Sequence, residues 1–259
     1  MSDGGTTVLT VSYDGGPFAG FARQPGQVTV QGRLEESLAI ALRREVVTSC
    51  AGRTDSGVHA LGQVVSFPSA PSDVPNRDLL RSLNALAGKG IAVVEARSAP
   101  RRFDARHSAV AREYRYRLVT GAAPPLFLHD YAWWVKDTLD LGAMREAGTE
   151  LIGQHDFRSF CVAGSAEGKR TVRTIDLLDI EPANEMGEHC IVVRIVGRSF
   201  LHSMVRIVVG SLVQVARGRR SVRSVAEALE TCERAAAGPT APPHGLTLWH
   251  VTYPEELWL

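Results

Sequence analysis

Several short runs of this chain alternate apolar and polar residues, and others bring apolar residues round every three or four positions. Val8 to Tyr13 alternates as a half-buried strand does, and Asp14-Gly15-Gly16-Pro17 closes it with turn residues. Leu34, Leu38, Ala41 and Leu42 stand at helical spacing and predict a helix within residues 31–45. The run Ala51-Gly52-Arg53-Thr54-Asp55-Ser56-Gly57 is too glycine-rich for an element interior and reads as a loop; Val58 to Phe67 then reads as a strand. Asn76 is placed to cap a helix carrying Leu79, Leu80, Leu83 and Leu86. Strands are expected at Ile91–Ala96 and Val110–Val119. In the latter, Arg112, Tyr114, Tyr116 and Leu118 share one face, and Glu113, Arg115 and Arg117 the other.

The second half repeats the style. A short strand at Tyr131–Val135 precedes a helix at Leu139–Ile152, and strands at Thr174–Glu181 and His189–Val196 are joined by a hairpin loop through Asn184-Glu185-Met186-Gly187. Ser199 reads as the cap of a long helix to Arg217, with Leu201, Met204, Val205, Val208, Leu212 and Val215 on its buried stripe. A helix at Ser221–Ala236 and a strand at Leu246–Tyr253 complete the chain. Strands and helices mixed in both halves, with hairpin-length links, predict an α+β fold: two loosely similar lobes with a largely antiparallel mixed sheet flanked by helices. The Gly-Ala-Ala-Pro-Pro connector near residue 120 sets the expected boundary, giving an N-terminal lobe over 1–120 and a C-terminal lobe over 121–259.

Composition is that of an ordinary globular chain, 44% hydrophobic and 22% charged over 259 residues, which excludes disordered and fibrous classes. The formal charge of +1 hides an uneven distribution. Residues 97–117 hold seven Arg against Asp104 and Glu113, and residues 194–223 hold seven Arg and no acid. Two basic blocks on an acidic body point to a local anionic partner, and the planar fork of Arg suits phosphate. Cys50, Cys161, Cys190 and Cys232 lie far apart, as free thiols in a reducing cytosol would, with neither a zinc spacing nor a disulfide framework. No secretory signal is expected at Met-Ser-Asp-Gly-Gly-Thr-Thr, and no apolar run approaches the ~20 residues of a membrane span. Phosphate-cradling glycine loops, the G-x-S-x-G elbow and H-E-x-x-H are all absent from the sequence.

Three constellations remain. Asp55 sits on a glycine-bracketed loop two residues from Arg53, a guanidinium able to hold a nucleophilic carboxylate ionised. Taken alone, the spacing favours an Asx-turn joining two elements, with Arg53 as its surface ion-pair partner. Tyr114 and Tyr116, beside Arg112, could stack on an unpaired base or simply pack on a core. His202 and Arg206, four residues apart, would share one face of the long helix, where a buried Arg needs an anionic partner.

The run Gly52-Arg53-Thr54-Asp55-Ser56-Gly57-Val58-His59-Ala60 with Gly62-Gln63-Val64-Val65 resembles the signature of the TruA family of tRNA pseudouridine synthases. The resemblance extends along the chain. It takes in Tyr13-Asp14-Gly15 with Gly20, Phe103-Asp104-Ala105-Arg106, Arg112-Glu113-Tyr114-Arg115-Tyr116, Leu151 to Phe157, Met204-Val205-Arg206 with Val209-Gly210, and Pro239-Thr240-Ala241-Pro242. Departures fall at Phe21-Ala22, at Ala87 to Gly90 and at His107. The resemblance implies a cytoplasmic, cofactor-free and metal-free isomerase. It would convert uridine to pseudouridine at positions 38, 39 and 40 of the tRNA anticodon stem-loop, as a homodimer, with an active-site cleft between the lobes. It further implies Asp55 as nucleophile, Arg53 holding the flipped nucleotide, Tyr114 stacking on the uracil, and Arg206 pairing with the catalytic carboxylate. Asp55 could attack C1′, abstract a proton to give a glycal, or add at C6. The competing classes are a catalytically silent tRNA-binding or chaperone-like protein, and a glycoside hydrolase, which would need a second acid.

Overall fold

A computed structural model describes residues 5–258. Residues 1–4, where a leader would begin, lie outside the described residues. The elements in order are β1 (Thr6–Tyr13), α1 (Val30–Leu42), β2 (Ser49–Cys50), β3 (His59–Pro68), α2 (Asn76–Leu86), β4 (Ile91–Ala99), β5 (Ala111–Thr120), β6 (Trp133–Val135), α3 (Leu141–Thr149), β7 (Gly153–Asp156), β8 (Val172–Glu185), β9 (Glu188–Gly197), α4 (Met204–Ala216), α5 (Ser224–Thr231) and β10 (Leu246–Thr252). The fold is α+β. The pairs β1–β3, β1–β4, β2–β3, β7–β8 and β8–β9 are antiparallel and β5–β6 is parallel.

Two compact units form. One holds the chain up to Arg112 together with the stretch from Leu248 onward; the other is Glu113–Thr247. The chain passes between them inside β5 and returns inside β10. This differs from lobes divided at residue 120. A crossing within a strand carries no Pro or Gly punctuation, and the Gly-Ala-Ala-Pro-Pro stretch is a loop inside the second unit leading from β5 to β6.

In the first unit the strand order is β4-β1-β3-β10, with β2 on β3. Helix α2 packs on β4 and α1 on α2. The Thr29 hydroxyl caps α1 by accepting the Gly32 N–H at 3.2 Å, and Val30, Leu34, Leu38 and Leu42 form its buried stripe. The expected Asn76 cap is not one: α2 begins after Pro75, and the Asn76 amide instead donates to the Ser98 hydroxyl at 3.0 Å.

In the second unit the order is β5-β9-β8-β7, with β6 on β5, α3 against β8 and α4, and α5 against α4. Hairpin β8–β9 turns on Met186-Gly187 alone, with φ of 54° and 83°. The long helix starts at Met204, its cap at Ser203 four residues later than the expected Ser199, because Ser203 takes a left-handed φ of 56°. His202 therefore precedes the helix and does not share a helical face with Arg206. Met204, Val205, Val208, Leu212 and Val215 are buried as expected. The last helix is shorter than Ser221–Ala236, with a separate 3-10 turn at Arg234–Ala236. Strands β2 and β7, of two and four residues, are too short to show a period.

Candidate active site

The Asp55 loop is held through its backbone and through the Thr54 and Ser56 hydroxyls. On one side, the β1–α1 connection presses against it. Phe21 N–H donates to Thr54 O at 3.1 Å, and the Ser56 hydroxyl to Phe18 O at 3.2 Å. Gly20 lies at φ +99°, and a Cβ there would stand 2.9 Å from Thr54 O; a Cβ on Gly15 would stand 2.2 Å from Val58 O. These close approaches give a physical reason for glycine at both positions. On the other side, Tyr13 and Thr54 share a hydroxyl hydrogen bond at 2.7 Å, and Gln63, fully buried on β3, donates to Gly52 O at 2.7 Å. The Val58 N–H closes the loop on Asp55 O at 3.1 Å. His59 is buried, and its Nδ1 accepts the Gly15 N–H at 3.0 Å. The same nitrogen lies 3.2 Å from Asp14 Oδ1.

Asp55 is half-buried on this clamped loop, whereas Arg53 is exposed and takes part in no hydrogen bond or ion pair among the described residues. Arg53 and Asp55 therefore form no ion pair in this structure. A long hydrated side chain on an exposed loop gains little from such a pair. The guanidinium built into the loop's base is Arg112, itself buried. Its Nε and Nη2 donate to Ala51 O at 2.9 and 2.7 Å, and Nη2 also to Arg106 O at 2.8 Å. Arg112 is therefore structural rather than part of an exposed stacking face. Burial pushes the neighbouring Cys50 thiol up to about 11, against the lowering fields of Arg53, Arg106 and Arg112.

Both tyrosines of β5 are buried, Tyr114 with 7% of its surface exposed. Tyr116 is completely buried, donates to Pro242 O at 2.8 Å, and lies so close to Gly245 that a Cβ there would meet its ring at 2.6 Å. Burial raises its phenol far above the usual range, and it cannot serve as a base platform. Tyr114 meets Phe200 edge-on, with centroids 5.2 Å apart. Arg206 is half-buried on α4 and donates from Nε to Ala241 O at 2.9 Å, while Ala241 N–H donates back to Arg206 O. Gly210, one turn on, permits this packing: a Cβ would fall 1.8 Å from Pro239 O. Asp55 and Arg53 belong to the first unit, Tyr114 and Arg206 to the second.

Much of the arginine charge is neutralised locally. Arg115 and Arg194 both donate to Glu113 at 2.8 Å; Arg117 pairs with Glu185, Arg217 with Asp137, Arg97 with Glu95 and Arg223 with Glu227. Charge density along the sequence therefore overstates the cation available to a ligand. Gln63 is a member of the site to which the sequence assigns no role. Its signal is a lone amide on a largely apolar strand, which needs a partner when buried. Among the described residues, no group of three or more His, Cys, Asp or Glu side chains could hold a metal ion, and no helix is long and apolar enough to cross a membrane.

A family model described as tRNA pseudouridine synthase matches residues 147–254. The chain is 44% identical over 247 residues to "tRNA pseudouridine synthase A" of Bacillus subtilis (strain 168), covering 94% of this chain and 97% of that one. It is 43% identical over 260 residues to the protein of the same name from Frankia casuarinae, covering 99% and 92%, and 39% identical over 252 residues to that of Rhizobium leguminosarum bv. trifolii, covering 96% and 92%. Identity at that level from end to end, with the clamped Gly52-Arg53-Thr54-Asp55 loop intact, means that the chain belongs to the TruA family of tRNA pseudouridine synthases.

Proposed function

We propose that this tRNA pseudouridine synthase isomerises uridine at positions 38, 39 and 40 of the anticodon stem-loop, with Asp55 as nucleophile and without a cofactor. The observation that carries the reading is a half-buried carboxylate on a loop whose backbone is pinned by Phe21, Gln63 and Arg112 and whose Thr54 hydroxyl is held by Tyr13. Pinning matters because displacement by ~1 Å costs roughly 100-fold in rate. The reaction breaks the C1′–N1 bond, turns the uracil over and forms C1′–C5. The C5 proton is lost and N1 gains one, so atoms balance without redox or energy input. Asp55 would act at C1′ directly, through a glycal, or by addition at C6.

The remaining roles follow from the family. Tyr114 would stack on the target uracil, Arg53 would hold the everted nucleotide, and Arg206 would pair with the catalytic carboxylate. Eversion costs a few kcal/mol, least in a loop. The protein would work in the cytoplasm as a homodimer, which sedimentation of purified protein tests.

Asp55→Asn tests the central claim. We expect no tritium release from 5-tritiated uridine in anticodon stem-loop RNA, with tRNA affinity and thermal melting close to those of the parent. Full turnover by the variant would remove Asp55 from the mechanism. No release by the parent protein would favour a silent tRNA binder.

A further inference from the structure

The turn that carries Arg106 is anchored throughout. Asp104 Oδ1 accepts the N–H groups of Arg106 at 2.9 Å and His107 at 2.8 Å. The Ser66 hydroxyl accepts Ala105 N–H at 2.9 Å, and the Tyr253 hydroxyl donates to Ala105 O at 2.6 Å. Burial pushes the Asp104 carboxyl up, but hydrogen bonds from His107, Ser49 and Arg106 outweigh it and leave it below the usual range.

Arg112 joins this turn to the Asp55 loop. Its Nη2 lies 2.7 Å from Ala51 O and 2.8 Å from Arg106 O, so those two oxygens are within about 5.5 Å of each other, the sum of the two distances. Each of the two joined loops presents an arginine outward. Arg53 and Arg106 are both exposed, and neither side chain makes a hydrogen bond or ion pair among the described residues. Of the other arginines in residues 97–117, Arg97, Arg115 and Arg117 are matched by carboxylates. Both cations act on the same Cys50 thiol, so their fields overlap at the end of β2. Two like charges on bolted loops repel, and an anion placed between them relieves that repulsion. The guanidinium fork matches phosphate oxygens in pairs.

We propose that Arg106 is a positioning residue which, with Arg53, grips a backbone phosphate of the RNA strand beside Asp55. This deepens the tRNA isomerase reading and rests on it. The contact is to phosphate and carries no base preference. It would set the register of the strand, and so which nucleotide meets the Asp55 loop.

The test is tRNA binding and turnover by Arg106→Gln and Arg106→Lys. For Arg106→Gln we expect KM and Kd to rise about tenfold. The slope of log K against log salt should shrink by about one, and kcat should fall far less than KM rises. Arg106→Lys should restore the slope. A stem-loop RNA with a single neutral methylphosphonate near the target should bind the parent protein more weakly at one linkage and Arg106→Gln equally well with or without it. An unchanged salt slope and KM in Arg106→Gln, or a loss confined to kcat, overturns the proposal. If the parent makes no pseudouridine in the same RNA, the isomerase reading fails instead.

Discussion

Tyr114 and Tyr116 are two residues apart on one strand face, yet their chemistry differs. Tyr116 has its hydroxyl committed to Pro242 O and its ring against Gly245. Tyr116→Phe should therefore lower stability by about 1–2 kcal/mol, by orphaning a carbonyl, while turnover stays intact; denaturant midpoints and tritium release check both halves. Tyr114 needs only its ring if it stacks on uracil. Tyr114→Phe should keep most turnover, and Tyr114→Leu should lose about 10- to 100-fold, from stacking worth ~1–3 kcal/mol, with circular dichroism unchanged. Gly20 is a third residue with no latitude. At φ +99° and 2.9 Å from Thr54 O, Gly20→Ala should cost about 1–2 kcal/mol and roughly 100-fold in kcat, because the strain is relieved by moving the Asp55 loop.

At the scale of elements, local chemistry decides ends and long-range contact decides partners. Hairpin β8–β9 turns on two residues of positive φ, the geometry that Asn-Gly satisfies best, but the first is Met186. Met186 is 67% exposed, so nothing is lost by replacing it. Met186→Asn should raise stability by about 0.5–1 kcal/mol, read as a higher denaturant midpoint with unchanged slope. The pattern of apolar positions placed β1, β3, β5, β9 and β10 within a residue or two of their observed ends, and overran the end of α1 by three residues. It misplaced the start of α4, where apolar Leu201 continues the stripe although the backbone at Ser203 breaks it. Hydrophobic spacing records which side chains face inward, not which carbonyls are hydrogen-bonded.

For the molecule as a whole, the carboxylates of Asp73, Asp104, Glu113 and Glu188 all sit below their ordinary values. For Asp73 the Arg44 hydrogen bond leads; for Glu113 burial opposes, but Arg194 and Arg115 outweigh it. A carboxyl depressed on folding stabilises the native state above its unfolded pKa of ~4. That stability is lost as pH falls through the folded value. Thermal melting should therefore be level from pH 7 to about 5 and decline below about 4; a melting temperature rising on acidification would contradict the ion-pair assignment. The same pairs limit RNA binding. Charge summed over the two arginine blocks includes Arg115, Arg117, Arg194 and Arg217, each already spent on a carboxylate.

The one-dimensional chain determined its α+β class, most of its strands and helices, the glycine-bracketed loop and, through the signature around Asp55, its family. These depend on periodicity and on short runs whose chemistry is local. Only the tertiary structure decided which polar groups were spent internally. It turned Tyr116 and Arg112 from candidate ligand contacts into core anchors, left Arg53 and Arg106 outward, and set the unit boundary inside two strands. Solvent exposure and hydrogen-bond partnership are properties of what lies across from a residue, and in this fold the partner is often 40 or more positions away: Thr54 for Tyr13, Ala51 for Arg112, Pro242 for Tyr116.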